Sequence, residues 1–133
     1  MKELISDFST SITEINKCLI VQLTGEMTDC NIRSISESVA ERAYKSGISG
    51  AVLNFAAVNV MDSYTFNAFM GITRSLSILG VAVVWVGLSP GVVCALIDLN
   101  VDFDGKKMLT ALNLEQGLEL LAKQMNNKDR KLK

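Results

Sequence analysis

The chain has 133 residues, enough for one domain, and 49% of them are apolar, so a core can be buried and long disordered blocks are not expected. Its 13 basic and 14 acidic residues leave a net charge of -1, which argues against a nucleic-acid binder with a basic face. It contains no histidine, which removes the commonest general base, the Ser-His and Cys-His nucleophile pairs and most zinc sites.

Ser11 to Ile15 and Cys18 to Leu23 read as two strands, the second rich in β-branched and aliphatic residues. Asn16-Lys17 between them suits a tight hairpin turn. A helix follows, capped by Thr28 or Asp29, with Ile32, Ile35, Val39 and Ala43 on one face and Ser46-Gly47 as its stop. Ala51 to Phe55 is the next strand. Val58 to Met61 leads into a second helix carrying Phe66, Phe69, Met70, Thr73 and Leu76, which ends at Gly80. The unbroken apolar run Val81 to Val86 predicts a central strand covered on at least one face.

Ser89-Pro90 opens a third helix, serine as cap and proline in the first turn, with Val93, Leu96 and Ile97 facing the core and Asn100 as a stop. Lys107 to Leu109 is a short strand candidate. Asn113 with Gln116 three residues later resembles a capping box, and Leu114, Leu118, Leu121 and Met125 form the apolar stripe of a last helix. The order β-β-α-β-α-β-α-β-α predicts an α/β fold: a mixed, mainly parallel sheet with an N-terminal hairpin and about four helices. There is no internal repeat or low-complexity linker. One domain is expected over 8–125, followed by a short basic tail over 126–133 that reads as a solvated end.

Cys18, Cys30 and Cys94 are odd in number and form no Cys-x-x-Cys pair, which argues against a disulfide framework or a zinc site. Reduced, mostly buried thiols in a cytoplasmic protein are expected. The N-terminus has no signal-peptide core, and no apolar run is long enough to span a membrane.

Chemistry-bearing motifs are sparse. Asp102 and Asp104 are spaced as a cation cluster could be, but a loop Asp-x-Asp reads as polar punctuation, and no metal is expected. Gly87-Leu88-Ser89-Pro90-Gly91 joins a strand to a helix but lacks the dinucleotide glycines and the P-loop lysine, so a capped turn is preferred and no cofactor is expected. A receiver domain fails on residues: no acidic pair ends the first long strand, and the third ends in Asn54-Phe55. The informative segment is Met61-Asp62-Ser63-Tyr64-Thr65. Asp62 or Ser63 caps a helix there, and the Ser63 hydroxyl stands at a helix start whose dipole tolerates phosphate while Asp62 opposes its charge. Ser63 is the candidate phosphoacceptor. Asp62, Tyr64 and Thr65 are the candidate flanking or docking residues, Thr65 being a possible acceptor out of register.

Several segments taken together resemble the STAS-domain family of anti-sigma-factor antagonists. Leu23-Thr24-Gly25-Glu26-Met27 resembles the step after the family's second strand. Ala51-Val52-Leu53-Asn54-Phe55 followed by Met61-Asp62-Ser63 resembles its strand, short loop and Asp-Ser phosphorylation motif. Gly80-Val81 through Val86-Gly87-Leu88-Ser89-Pro90 is similar to its glycine-proline segment. Ala111 to Leu118 is similar to the final helix of the short stressosome scaffold antagonists (RsbS-like). The resemblance covers about 12–122. Three positions depart from the pattern: Asn54 where many members carry aspartate, Val86 where stressosome relatives often carry threonine, and Tyr64 where sporulation-type antagonists have a small residue.

The resemblance implies a non-enzymatic partner-switching scaffold that holds a switch serine kinase of the histidine-kinase-like ATPase superfamily and releases it when Ser63 is phosphorylated. It implies STAS-containing sensor paralogues, a resetting serine phosphatase and homo- and hetero-oligomers, with neither nucleic acid nor membrane as partner. No second phosphorylated position is expected at Val86. The alternatives are a free-standing anti-sigma-factor antagonist binding an anti-sigma kinase, and a regulatory binding module in which Ser63 is only a cap.

Overall fold

The computed structural model describes residues 11–23, 29–58, 61–98 and 109–132. They form β1 (Ser11–Ile15), β2 (Cys18–Gln22), α1 (Asp29–Ser46), β3 (Gly50–Asn54), α2 (Ser63–Ile78), β4 (Ala82–Val86), α3 (Pro90–Asp98), β5 (Leu109–Ala111) and α4 (Leu114–Leu132). One sheet runs in the order β1-β2-β3-β4-β5, with β1 antiparallel to β2 and all other neighbours parallel. This is the mixed, mainly parallel α/β arrangement read from the sequence.

The hairpin closes because Asn16 and Lys17 both take left-handed backbone, φ 50° and 65°, which a two-residue turn needs to match the strand twist. The Lys17 carbonyl accepts a hydrogen bond from Ser49 N at 2.9 Å, tying the turn to the start of β3. The α1 stripe of Ile32, Ile35, Val39 and Ala43 is buried, and Gly47, at φ 64°, ends the helix.

The strand β4 is buried on both faces, which is why its sequence shows no alternation. Toward α1, α2 and α3 it presents Val83 and Trp85. Trp85 lies against Phe55, Phe66 and Phe69, with ring centroids 4.8, 5.5 and 6.4 Å away. Its indole Nε1 donates to Thr73 Oγ1 at 3.0 Å, and the Thr73 hydroxyl donates to the Phe69 carbonyl at 2.9 Å, so both buried polar groups are satisfied. Toward α4, β4 presents Val84 and Val86, which cluster with Cys18, Val52 and Leu121. The α4 backbone comes so close that a Cβ on Gly117 would stand 2.5 Å from Val86 Cγ1.

The helix starts follow their sequence signals. Val92 N donates to Ser89 Oγ at 3.2 Å with Pro90 as the first residue of α3. Gln116 N donates to Asn113 Oδ1 at 2.9 Å, and Gln116 Oε1 accepts from Leu112 N at 3.4 Å.

Several expectations shift. Val92, rather than Val93, takes the fully buried position of α3, because adjacent valines lie about 100° apart and the sheet selects one. The last strand is Leu109–Ala111, with Val84 paired to Leu109 and Val86 to Ala111, so it begins where the expected strand ends. The helix α4 continues to Leu132, through the basic tail. Of the two cysteines whose side chains are described, Cys94 is exposed and Cys18 is buried, and desolvation pushes the Cys18 thiol up from the ordinary value. Both are free thiols. Thr28, most of the Leu23–Met27 segment, Asn100, Asp102, Asp104 and Lys107 lie outside the described residues, as do the side chains of Asp29, Cys30, Leu96, Ile97 and Met125. Among the described residues, no helix is long and apolar enough to cross a membrane.

Candidate functional site

Ser63 follows the connection between β3 and α2, and the described stretch 55–58 of that connection is held by hydrogen bonds. Phe55 N donates to the Val86 carbonyl at 2.8 Å, Ala56 N to Asn54 Oδ1 at 3.0 Å and Val58 N to the Phe55 carbonyl at 2.9 Å. The side chains of Phe55, Val58 and Met61 are all buried. Gly87, at φ 75°, lets the turn after β4 press against the same loop: a Cβ there would stand 2.9 Å from Ala56 N and 3.0 Å from Asn54 Oδ1. The stretch 55–58 is thus braced from both sides.

Asp62 is the cap of α2. Its backbone is extended, with φ -94° and ψ 176°; its Oδ1 accepts from Thr65 N at 2.7 Å, and its carbonyl accepts from Phe66 N at 3.0 Å. The Thr65 amide first, and the Thr65 hydroxyl second, hold the Asp62 carboxyl below its ordinary value of 3.8. Asp62 is therefore an anion at neutral pH. Ser63 is the first helical residue and is exposed.

The four residues singled out in the sequence divide by direction. Asp62, Ser63 and Tyr64 face solvent, Tyr64 with 61% of its surface exposed. Thr65 is only 7% exposed. Its position four residues before Phe69 turns it to the core. Its polar groups serve the Asp62 carboxylate instead. Chemically, the arrangement offers a solvent-facing serine hydroxyl at the positive end of a sixteen-residue helix, beside a fixed negative charge. A phosphate added there gains from the helix dipole and is opposed by Asp62, so it changes local charge without entering the core.

Val86 is fully buried beneath Gly117 and offers no such surface. Among the described residues, no group of three histidine, cysteine, aspartate or glutamate side chains is placed to hold a metal ion.

Two features escaped the sequence reading. The Asn54 side chain braces the loop before α2 through its bond to Ala56; an Asn at a strand end, two residues before a turn, was the available signal. An open groove also runs between α1 and α2 from Tyr64 to Ser75, walled by Arg33 and Glu37 and floored by Ala68 and Gly71. It depends on how the two helices meet, which no local pattern encodes.

The STAS domain profile matches residues 9–112. Over 133 residues, the chain is 29% identical to the RsbT co-antagonist protein RsbRD of Bacillus subtilis (strain 168), covering 99% of this chain and 45% of that protein. The chain thus spans less than half the length of this curated relative. A serine-to-glutamate form of RsbS from Moorella thermoacetica superposes with a TM-score of 0.75 at 24% identity, covering 89% of this chain and 98% of that one. A chain of the stressosome, described as a signal integration and transduction hub, superposes at 0.73 with 25% identity, over 86% of this chain and 98% of its own. By its fold and the matching profile, the chain belongs to the STAS-domain family.

Proposed function

We propose that this chain is a non-enzymatic, cytoplasmic partner-switching scaffold of a stressosome-like complex, with 8–125 as its domain and 126–133 as a basic tail. It sequesters a switch serine kinase of the histidine-kinase-like ATPase superfamily and releases it when Ser63 is phosphorylated. A serine phosphatase resets the site, and STAS-containing sensor paralogues co-assemble with the scaffold. The observation that carries this reading is the Ser63 hydroxyl, exposed on the first residue of α2 beside a cap that is already an anion. The likeness to a stressosome chain and to a protein named as an RsbT co-antagonist supports the setting.

Incubation with a stressosome-type switch kinase and ATP, followed by intact-mass spectrometry, tests it. One added phosphate is expected on the native chain and none on Ser63→Ala. Ser63→Asp loses kinase binding in a pull-down while Ser63→Ala keeps it. Equal binding by both variants, with no phosphate on the native chain, sinks the reading.

A second reading has one observation in its favour: the curated relative is a co-antagonist of which this chain spans 45%. The chain is then the STAS part of a sensor-type subunit. Size-exclusion chromatography separates the two. Co-elution with a sensor paralogue supports the scaffold, and co-elution with a scaffold antagonist alone supports the sensor type.

A further inference from the structure

The open groove between α1 and α2 has a volume of about 710 Å³ and shares a pole of the molecule with Ser63. Strands β2 and β3 run parallel, and each is followed by its helix, so α1 and α2 both start from the carboxyl ends of the strands. Tyr64, the neighbour of Ser63, is one wall of the groove, and Arg33, four residues into α1, is another. A protein that covers the Ser63 hydroxyl therefore meets Tyr64, and beyond Tyr64 it meets the groove.

The floor of the groove is apolar: Ile32 and Ile72 are buried, and Ala68 packs on the core. Gly71 leaves room, since a Cβ built on it meets nothing within 4 Å. The Ser75 hydroxyl already donates to the Gly71 carbonyl at 3.0 Å, so covering it orphans no polar group. The α1 wall is charged. Arg33 and Glu37 are exposed, and neither is ion-paired with another described residue. Further along the same helix, Glu41 and Lys45 stand at the same spacing and do pair, at 2.8 Å. An acid placed before a base closes well along a helix, and a base placed before an acid closes less well, so the chain order leaves the two groove charges open. Asn67 and Arg74 of α2 are exposed too, but they do not line the groove.

An open trough does not enclose a small molecule, which is held by burying most of its surface. An apolar floor under a wall with one cation and one anion suits a protein segment that carries an apolar side chain, a carboxylate and a cation. We propose that the kinase acting on Ser63 docks in this groove, with an apolar side chain over Gly71, a carboxylate on Arg33 and a cation on Glu37. The proposal rests on the reading of Ser63 as the phosphoacceptor. It adds α1 to the surface that the kinase recognises, and it gives release an electrostatic cause: a phosphate beside Tyr64 opposes the carboxylate that Arg33 holds.

Steady-state phosphorylation of the full chain by a stressosome-type switch kinase and ATP, read by intact-mass spectrometry over a range of chain concentrations, tests it. Gly71→Arg fills the groove, and Arg33→Glu reverses one of its charges. Both positions are open and both new residues are good helix formers, so both variants keep the native circular dichroism. Each is expected to raise the KM for the chain about tenfold, as loss of an interface anchor does, and to leave kcat unchanged, because binding is lost and phosphoryl transfer is not. Lys123→Glu makes the same charge change at an exposed position of α4 and keeps the native KM and kcat. A native KM in either groove variant, a fall in kcat alone, or an equal rise in KM with Lys123→Glu overturns the docking site and leaves Ser63 as the acceptor. No phosphate on the native chain overturns both.

Discussion

The two faces of the sheet are built in different ways. Under α1, α2 and α3, the interior is thick: Trp85 is surrounded by three phenylalanine rings and tethered to Thr73. Under α4, it is thin: short aliphatic side chains fill it, and the helix sits down on a glycine. The first face draws stability from large side chains with fixed partners, and the second from close approach. The braced loop and the exposed serine belong to the first. The candidate helix start therefore stands on the part of the core with the most surface to lose.

Truncation and overpacking should separate the two faces. Trp85→Ala removes the hub of the thick side and should cost about 3–5 kcal/mol, a large share of a small domain's stability. Urea unfolding followed by circular dichroism measures it; a loss below that of an ordinary leucine truncation would show that the ring cluster is not the keystone. Gly117→Ala on the thin side should destabilise despite the better helix former. Its methyl meets Val86 Cγ1 at 2.5 Å, and overpacking costs about 1–3 kcal/mol against a gain of about 1 from helix propensity. An unchanged or raised melting temperature would mean that α4 moves away freely.

The smallest effect is the pH dependence of the cap. Asp62 has a depressed carboxyl in the folded chain, so its contribution is complete above the ordinary 3.8 and is lost as pH falls below it through the folded value. Asp62→Asn should melt below the native chain at pH 6, and the gap should narrow as pH is lowered below the ordinary carboxyl value of 3.8. A gap independent of pH would assign the cap to geometry rather than charge.

Much of this was legible in the chain itself, where the cause is local. Asn16-Lys17, Ser89-Pro90 and the Asn113–Gln116 pair act through hydrogen bonds within a few residues, and each stands where its sequence signal puts it. Asp62 and the start of α2 belong to the same class. Long-range choices were not legible. Val92 and Val93 are equivalent until the sheet is present. The strand candidate at Lys107 to Leu109 has no fixed bounds until Val84 pairs with Leu109 and Val86 with Ala111. The inward turn of Thr65 was readable in principle, because 65, 69, 72 and 76 form one stripe; its hydroxyl and its place in the Asp-Ser motif drew attention outward instead. The Asn54 brace and the inter-helix groove arise from chain segments meeting in space.

The single indole has a practical consequence. Trp85 has no exposed surface, and its one hydrogen bond goes to a side chain of α2. Its fluorescence is therefore an unlabelled gauge of how firmly α2 is seated. Emission that stays blue when a partner arrives means that the helix is read as a rigid surface, whereas a red shift with quenching means that it has been pulled from its aromatic bed.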